Sequence, residues 1–363
     1  MKIVTVVGAR PQFIKAAAVS RVLREKHKEL LIHTGQHYDS NMSDVFFEEL
    51  HIPKPDWNLG VGSGSHARQT AEMMVGIETI LLEEKPDCLL IYGDTNSTLA
   101  GAIAASKIHV PVIHVEAGLR SFNMKMPEEQ NRILADHVSS LLLCPTDTAV
   151  ENLRKEGIQA GVYQVGDVMC DAVLYYSHMM ETRENAYYFG QLHGLFASVP
   201  RVNTWYMTTI HRAENTDDEN KIREILEALE SLDAPAIFPV HPRTRGMVER
   251  LYRQREYKNI VFVEPVGYLT MLYLVRHAVK TITDSGGLQK ETYILGTPCV
   301  TVREQTEWVE TLKGNHNILA KTEKEDIVKK VIKTEIDWEN KPAYYGDGHA
   351  SEKICALLDQ AEW

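Results

Sequence analysis

Three acidic residues stand where a carboxylate can move protons. Asp94 follows the apolar run 88–92 in Gly93-Asp94-Thr95-Asn96, and Glu116 closes the run 110–115 ahead of Ala117-Gly118-Leu119-Arg120. Glu128 lies in Pro127-Glu128-Glu129-Gln130-Asn131-Arg132, a helix start. Carboxylates at adjacent strand ends raise one another's pKa, which suits one acid and one base. Two of them have a plainer reading, and Glu116, at the end of an apolar run, has none. Asp94 can be a helix N-cap, and one of Glu128 and Glu129 can simply favour the helix dipole. Glu128 and Arg132, four apart, form either a helical ion pair or an acid with a cationic neighbour.

A second set of residues suits an anion. The apolar run 279–282 empties through Asp284, Ser285, Gly286 and Gly287 into a helix carrying Glu291. The two glycines let phosphates approach the backbone, and the helix behind offers unpaired N–H groups. A carboxylate about one and a half turns on would suit ribose hydroxyls; the plainer reading is a structural strand-to-helix turn. Cations recur after other strands: Arg10 and Lys15 beyond Gly8-Ala9, His211 and Arg212 after 205–209, and Arg243 after 236–240. Gathered at strand ends, they would surround a diphosphate.

Composition narrows the classes. The net charge of −11 argues against nucleic acid. No Gly-x-Gly-x-x-Gly fingerprint marks a nicotinamide enzyme, and no His-Glu-x-x-His spacing marks a metal. Five scattered cysteines without a Cys-x-x-Cys pair read as buried thiols in a reducing cytoplasm. No apolar run reaches the ~20 residues that span a bilayer, and the N-terminus enters a strand directly. No metal, organic cofactor or membrane partner is expected.

The elements that must hold these residues alternate. Apolar runs at 3–7, 30–33, 88–92, 110–115, 141–144 and 162–165 are separated by helix-length segments. The pattern resumes with strands at 205–209, 236–240, 260–263, 279–282 and 299–302. This predicts parallel sheets of βαβ units. The expected architecture is α/β, two Rossmann-like doubly wound domains facing a cleft. Residues 1–168 form the first, with catalytic carboxylates, and 169–345 the second. The hinge falls near 166–171, and a last helix within 346–363 packs back on the first domain. The segment 182–203 reads as irregular.

Together these motifs resemble the non-hydrolysing UDP-N-acetylglucosamine 2-epimerases. The matching segments begin at Gly8 (GARPQFIK), Gly93 (GDTNST), His114 (HVEAGLR), Pro127 (PEEQNR), His211 (HRAEN), His241 (HPR) and Asp284 (DSGGLQKE). The resemblance implies a glycosyltransferase-B-like fold. It also implies anti elimination of UDP to a 2-acetamidoglucal and re-addition with C2 inverted, interconverting UDP-GlcNAc and UDP-ManNAc for cell-surface polysaccharide. By position, Asp94, Glu116, Glu128 and His211 are implied to be catalytic. Arg10, Lys15, Arg132, Arg243, Met271, Ser285, Gly286, Gly287 and Glu291 are implied to bind the UDP-sugar in a cytoplasmic homodimer.

Some positions depart from the pattern. Ala213 replaces an arginine, Met271 replaces a phenylalanine beside the uracil, and Thr306-Glu307-Trp308-Val309-Glu310 replaces Thr-Glu-Arg-Pro-Glu. This variant is similar to relatives acting on modified sugars such as UDP-2,3-diacetamido-glucuronic acid. Gln36, His37, Arg68 and Gln69 resemble part of an activator site for a second UDP-GlcNAc, with Asp39 where a glutamine is expected. Other classes predict other outcomes. A glycosyltransferase releases UDP only with an acceptor, a hydrolysing epimerase accumulates free UDP, and a UDP-sugar sensor tolerates Glu116→Gln.

Overall fold

Buried aliphatic runs form strands, and the segments between them fold as helices that cover the sheet faces. The computed structural model describes residues 1–35, 47–332, 336, 339 and 341–361. It divides into two compact units, Met1–Ala172 with Ala343–Trp363, and Val173–Pro342.

The first unit holds β1 (Lys2–Val7), β2 (Lys28–His33), β3 (Trp57–Asn58), β4 (Cys88–Tyr92), β5 (Val112–Val115), β6 (Leu141–Cys144) and β7 (Val162–Gln164). Their order is β3-β2-β1-β4-β5-β6-β7, every pair parallel. The winding reverses between β1 and β4, so the crevice beyond their carboxyl ends is the topological switch point. The register Tyr92↔Val115 then sets Gly93 and Asp94 beside Glu116. Behind β4 the helix Asn96–Lys107 packs closely because its inner face is small: a Cβ on Gly101 would stand 3.1 Å from Ile91. Ala100, Ala102, Ala104 and Ala105 complete that face against Val4, Val6, Leu89 and Ile91.

The second unit holds β8 (Tyr206–Thr209), β9 (Ala236–Pro239), β10 (Ile260–Val263), β11 (Thr281–Thr283), β12 (Cys299–Val302) and β13 (Asn317–Ala320). The order β10-β9-β8-β11-β12-β13 reverses between β8 and β11. Thr209↔Thr283 pairing places residues 210–212 beside Asp284 and Ser285. Its core runs from Ile222, Leu226 and Leu229 to Phe238, Phe262 and Val300.

The structure adds elements that the pattern of apolar runs did not mark. β3 is two residues long, and β13 with the helix Lys324–Ile332 extends the second sheet. The segment read as irregular contains the helix Asn185–Gly190 and a bridge from Gly194 to Val263. The helix Ala350–Gln360 packs on the helix Arg10–Leu23 within the first unit. The Asp171 carboxylate caps it, accepting from the Ala350 and Ser351 N–H groups at 3.1 and 2.6 Å. Among the described residues no helix is long and apolar enough to cross a membrane.

Candidate active site

In the first unit the three carboxylates hang on consecutive elements. Asp94 stands just past β4, after Gly93 at φ 61°. The helix N-cap is Thr95, whose hydroxyl accepts from the Thr98 N–H, so the N-cap reading of Asp94 is corrected. Its carboxylate lies 3.4 Å from the Arg132 guanidinium. Burial raises the Asp94 pKa; Arg132 and Lys15 oppose that rise, and Glu116 and Glu128 add to it. Its side chain keeps 36% exposure, so Asp94 is half-buried and reachable.

Glu116 ends β5 with φ 73°, a left-handed conformation that costs a side-chain-bearing residue about 1–3 kcal/mol. Two consecutive N–H groups, of Glu116 and Ala117, donate to the Leu143 carbonyl and hold the turn. The carboxylate is buried and ion-paired with Lys15. That places Lys15, expected among the substrate cations, against a carboxylate of its own unit. A side chain at Gly93 would crowd this pair, since a Cβ there would lie 3.3 Å from the Glu116 carboxylate and 3.4 Å from the Lys15 ammonium.

Glu128 and Glu129 separate cleanly. Glu129 is buried and accepts from the Ser121 and Phe122 N–H groups at 2.9 and 2.8 Å. It holds Phe122, at φ 57°, in the loop leading to the helix Pro127–Val138. Glu128 is exposed on the first turn of that helix, near enough to influence Asp94. Arg132 turns to Asp94 and Glu129, so the helical Glu128–Arg132 ion pair does not form. Asn131 donates to the Asp94 carbonyl at 2.9 Å. Arg10 opens the helix Arg10–Leu23, and Gln12 clamps the loop in front of it. The Gln12 oxygen accepts from Gly8 and Ala9, and its amide donates to the Tyr92 carbonyl and the Thr98 hydroxyl.

In the second unit, Asp284 is the staple. Its fully buried carboxylate accepts from the His211 N–H at 3.0 Å, the Arg212 N–H at 2.9 Å and the Asn215 amide at 3.0 Å. This fixes the end of β8 to the end of β11. His211 presents its ring beside His241, with centroids 5.2 Å apart. Burial lowers the His211 pKa; Asp284 opposes, while His241, Arg212 and Arg243 reinforce the shift. The free protein therefore favours the neutral imidazole there.

Ser285 caps the helix Gly286–Leu295, its hydroxyl accepting from the Leu288 N–H. A Cβ on Gly287 would meet nothing within 4 Å, which leaves the backbone at this N-terminus open to a ligand. At Gly286 a Cβ would collide with the Glu307 carboxylate, 2.3 Å away. Glu307 comes from the divergent Thr306–Glu310 stretch and pairs with Arg303 at 3.0 Å and Arg212 at 3.9 Å. Glu291 is buried and accepts from the Tyr268 hydroxyl at 3.1 Å. Met271 is half-buried on the helix Tyr268–Arg276. Arg243, expected among the diphosphate cations, bonds Asp217 at 3.1 Å and the Thr216 hydroxyl.

Of the activator-site residues, Gln36, His37 and Asp39 lie outside the described residues. Arg68 is exposed and paired with Glu72, while Gln69 is buried and accepts from Asn96. Sequence reasoning misses Gln12, Asn131 and Tyr268, whose roles come from contacts across elements, and does not tell Glu129 from Glu128. Only Gln12, three residues into a helix behind Gly8-Ala9, carried a local signal. Among the described residues no cluster of three His, Cys, Asp or Glu side chains is placed to hold a metal ion.

Comparison with known proteins covers nearly the whole chain. The profile of the family described as UDP-N-acetylglucosamine 2-epimerase matches residues 21–359. A UDP-N-acetylglucosamine 2-epimerase homolog of Methanococcus maripaludis is 50% identical over 361 residues, 99% of each chain. The UDP-2,3-diacetamido-2,3-dideoxy-D-glucuronate 2-epimerase of Pseudomonas aeruginosa is 46% identical, again over 99% of both. The crystal structure of Methanocaldococcus jannaschii UDP-GlcNAc 2-epimerase in complex with UDP-GlcNAc and UDP superposes with a TM-score of 0.88. It is 40% identical to this chain and covers 99% of it and 100% of that structure.

Proposed function

The chain belongs to the UDP-N-acetylglucosamine 2-epimerase family, and from that premise we propose that it inverts C2 of UDP-GlcNAc or a close derivative. It is an isomerase with the two-sheet α/β fold of its relatives. One observation carries the mechanistic reading: Asp94, with a raised pKa, stands beside Glu116, which a strained backbone holds against Lys15. Such a pair suits proton transfer at a carbon that no carbonyl activates.

In this reading Glu116 takes the C2 proton while the C1–O bond to UDP breaks and C1=C2 forms. The UDP oxygen then re-bonds C1, and a proton carried by Asp94 or Glu128 reaches C2 from the opposite face. The second unit holds UDP meanwhile. The open N-terminus at Gly287 and the His211 imidazole receive the diphosphate, and Glu291 takes the ribose hydroxyls. Arg10 and Arg132 add positive charge on the sugar side. Turnover of UDP-GlcNAc in heavy water is expected to place deuterium at C2 of both epimers. Absence of exchange with that sugar and with its 3-acetamido and 6-carboxylate relatives would sink the proposal.

The modified sugar is the second reading, favoured by the 46% identity to the diacetamido-glucuronate enzyme. Initial rates across a panel of UDP-sugars differing at C3 and C6 decide between the two. A cytoplasmic location, supply of ManNAc-type sugars for surface polysaccharide, and a homodimer belong to the same proposal. All five cysteines are buried and unbridged, as a reducing compartment allows.

A further inference from the structure

Behind the carboxylates of the first unit lies a buried ionic chain that the reaction itself does not use. His114, on β5 two residues before Glu116, is fully buried. One ring nitrogen lies 2.7 Å from the Asp136 carboxylate and the other 2.8 Å from the Gly93 carbonyl. The second oxygen of Asp136 accepts from the Gly118 N–H at 3.1 Å and from Arg120 at 2.7 Å. Arg120 also forks onto Glu156 at 2.6 and 2.8 Å.

The partners dictate the protons. A carbonyl only accepts, and so does an ionised carboxylate, so both ring nitrogens must donate. Of the charges along the chain, Arg120 and Asp136 are buried and paired with each other, and Glu156 stands at the surface. Cys144 beside Asp136 adds none, its thiol pushed up to about 12 by burial.

We propose that His114 is a positioning residue, locked by Asp136, whose hydrogen bond to the Gly93 carbonyl sets the placement of Asp94 against Glu116. The chain reaches all three carboxylates. His114 precedes Glu116 on its strand, Gly93 precedes Asp94, and Asp136 sits on the helix whose first turn carries Glu128. Misplacing reacting groups by about 1 Å can cost ~10²-fold in rate.

This proposal rests on the carboxylate assignment above, but its first test does not. In the full-length protein with ¹⁵N-labelled histidine, one ring is expected to show two N–H signals slow to exchange with solvent, one to each partner. A spectrum in which no histidine ring shows two such protected signals would overturn the lock whatever the enzyme's substrate. The second test is kinetic. His114→Gln and Asp136→Asn are expected to lower kcat roughly 10²-fold with KM and UDP affinity unchanged. In Asp136→Asn the persistent double N–H signature should also disappear. A folded Asp136→Asn that keeps kcat within about twofold would refute the positioning role. Should that variant not fold, the wild-type spectrum still decides whether the ring is locked.

Discussion

Burial raises the Asp94 pKa although Arg132 and Lys15 pull against it, so ionising this carboxyl works against the fold. The folded state then binds the proton more tightly than the unfolded one. Stability falls as pH climbs from the ordinary carboxylate value through the raised one, and the penalty is complete above it. Asp94→Asn removes that penalty together with the acid. We expect it to lose at least ~10²-fold in kcat, yet to melt above the parent at neutral pH and lose that advantage in strong acid. Thermal scans at the two pH values check this, and a variant less stable at neutral pH would contradict it. Lys15 makes a second case. Its ammonium pairs with Glu116 in the free protein. Lys15→Met should therefore lower kcat by at least ~10²-fold and leave the UDP Kd within about twofold. A loss of UDP affinity equal to the loss of rate would return Lys15 to the nucleotide.

At the scale of elements, the strand ends at the two switch points carry the proposed site residues, and this much is legible from alternating patterns. Glycines and charges after apolar runs located Asp94, Glu116, His211 and Ser285, because parallel strands must end where ligands bind. What stayed hidden depends on register and on contacts across elements. Glu129 and Glu128 are indistinguishable as acids in one helical turn, and only the fold turns one inward to Phe122 and leaves the other exposed. The pairing of Arg243 with Asp217, from a neighbouring loop, is likewise invisible in the sequence. β3 is too short to show any periodicity. The junction of β8 and β11 also yields a pH prediction. Burial favours the neutral His211 ring in the free protein. A diphosphate beside it favours the charged ring, so its pKa rises on binding. UDP binding should take up protons between the depressed free value and the higher bound one, and affinity should improve as pH falls through that window. Calorimetry in buffers of different ionisation heat measures the uptake. Zero uptake, or release, would remove His211 from the diphosphate.

The whole molecule carries a net charge of −11, which keeps copies apart unless an apolar face compensates. Such a face exists on the first unit. Val75 and Leu82 are 67% and 55% exposed, seven residues apart and so on one side of the helix His66–Glu84. Leu134, 47% exposed, lies on the helix Pro127–Val138, and both helices pack against the helix Asn96–Lys107. Leaving such side chains in water forgoes about 25 cal/mol per Å² of apolar surface, and a second copy of the chain would recover it. The proposed homodimer is accordingly expected to use this face. Light scattering should report twice the 41.1 kDa chain mass for the parent and a single chain for Val75→Lys combined with Leu82→Glu. The helix carrying Leu134 also carries Glu128, so separating the copies should lower kcat as well as mass. A monomeric parent would refute the dimer. A doubly substituted chain that remains paired would move the interface elsewhere on the molecule.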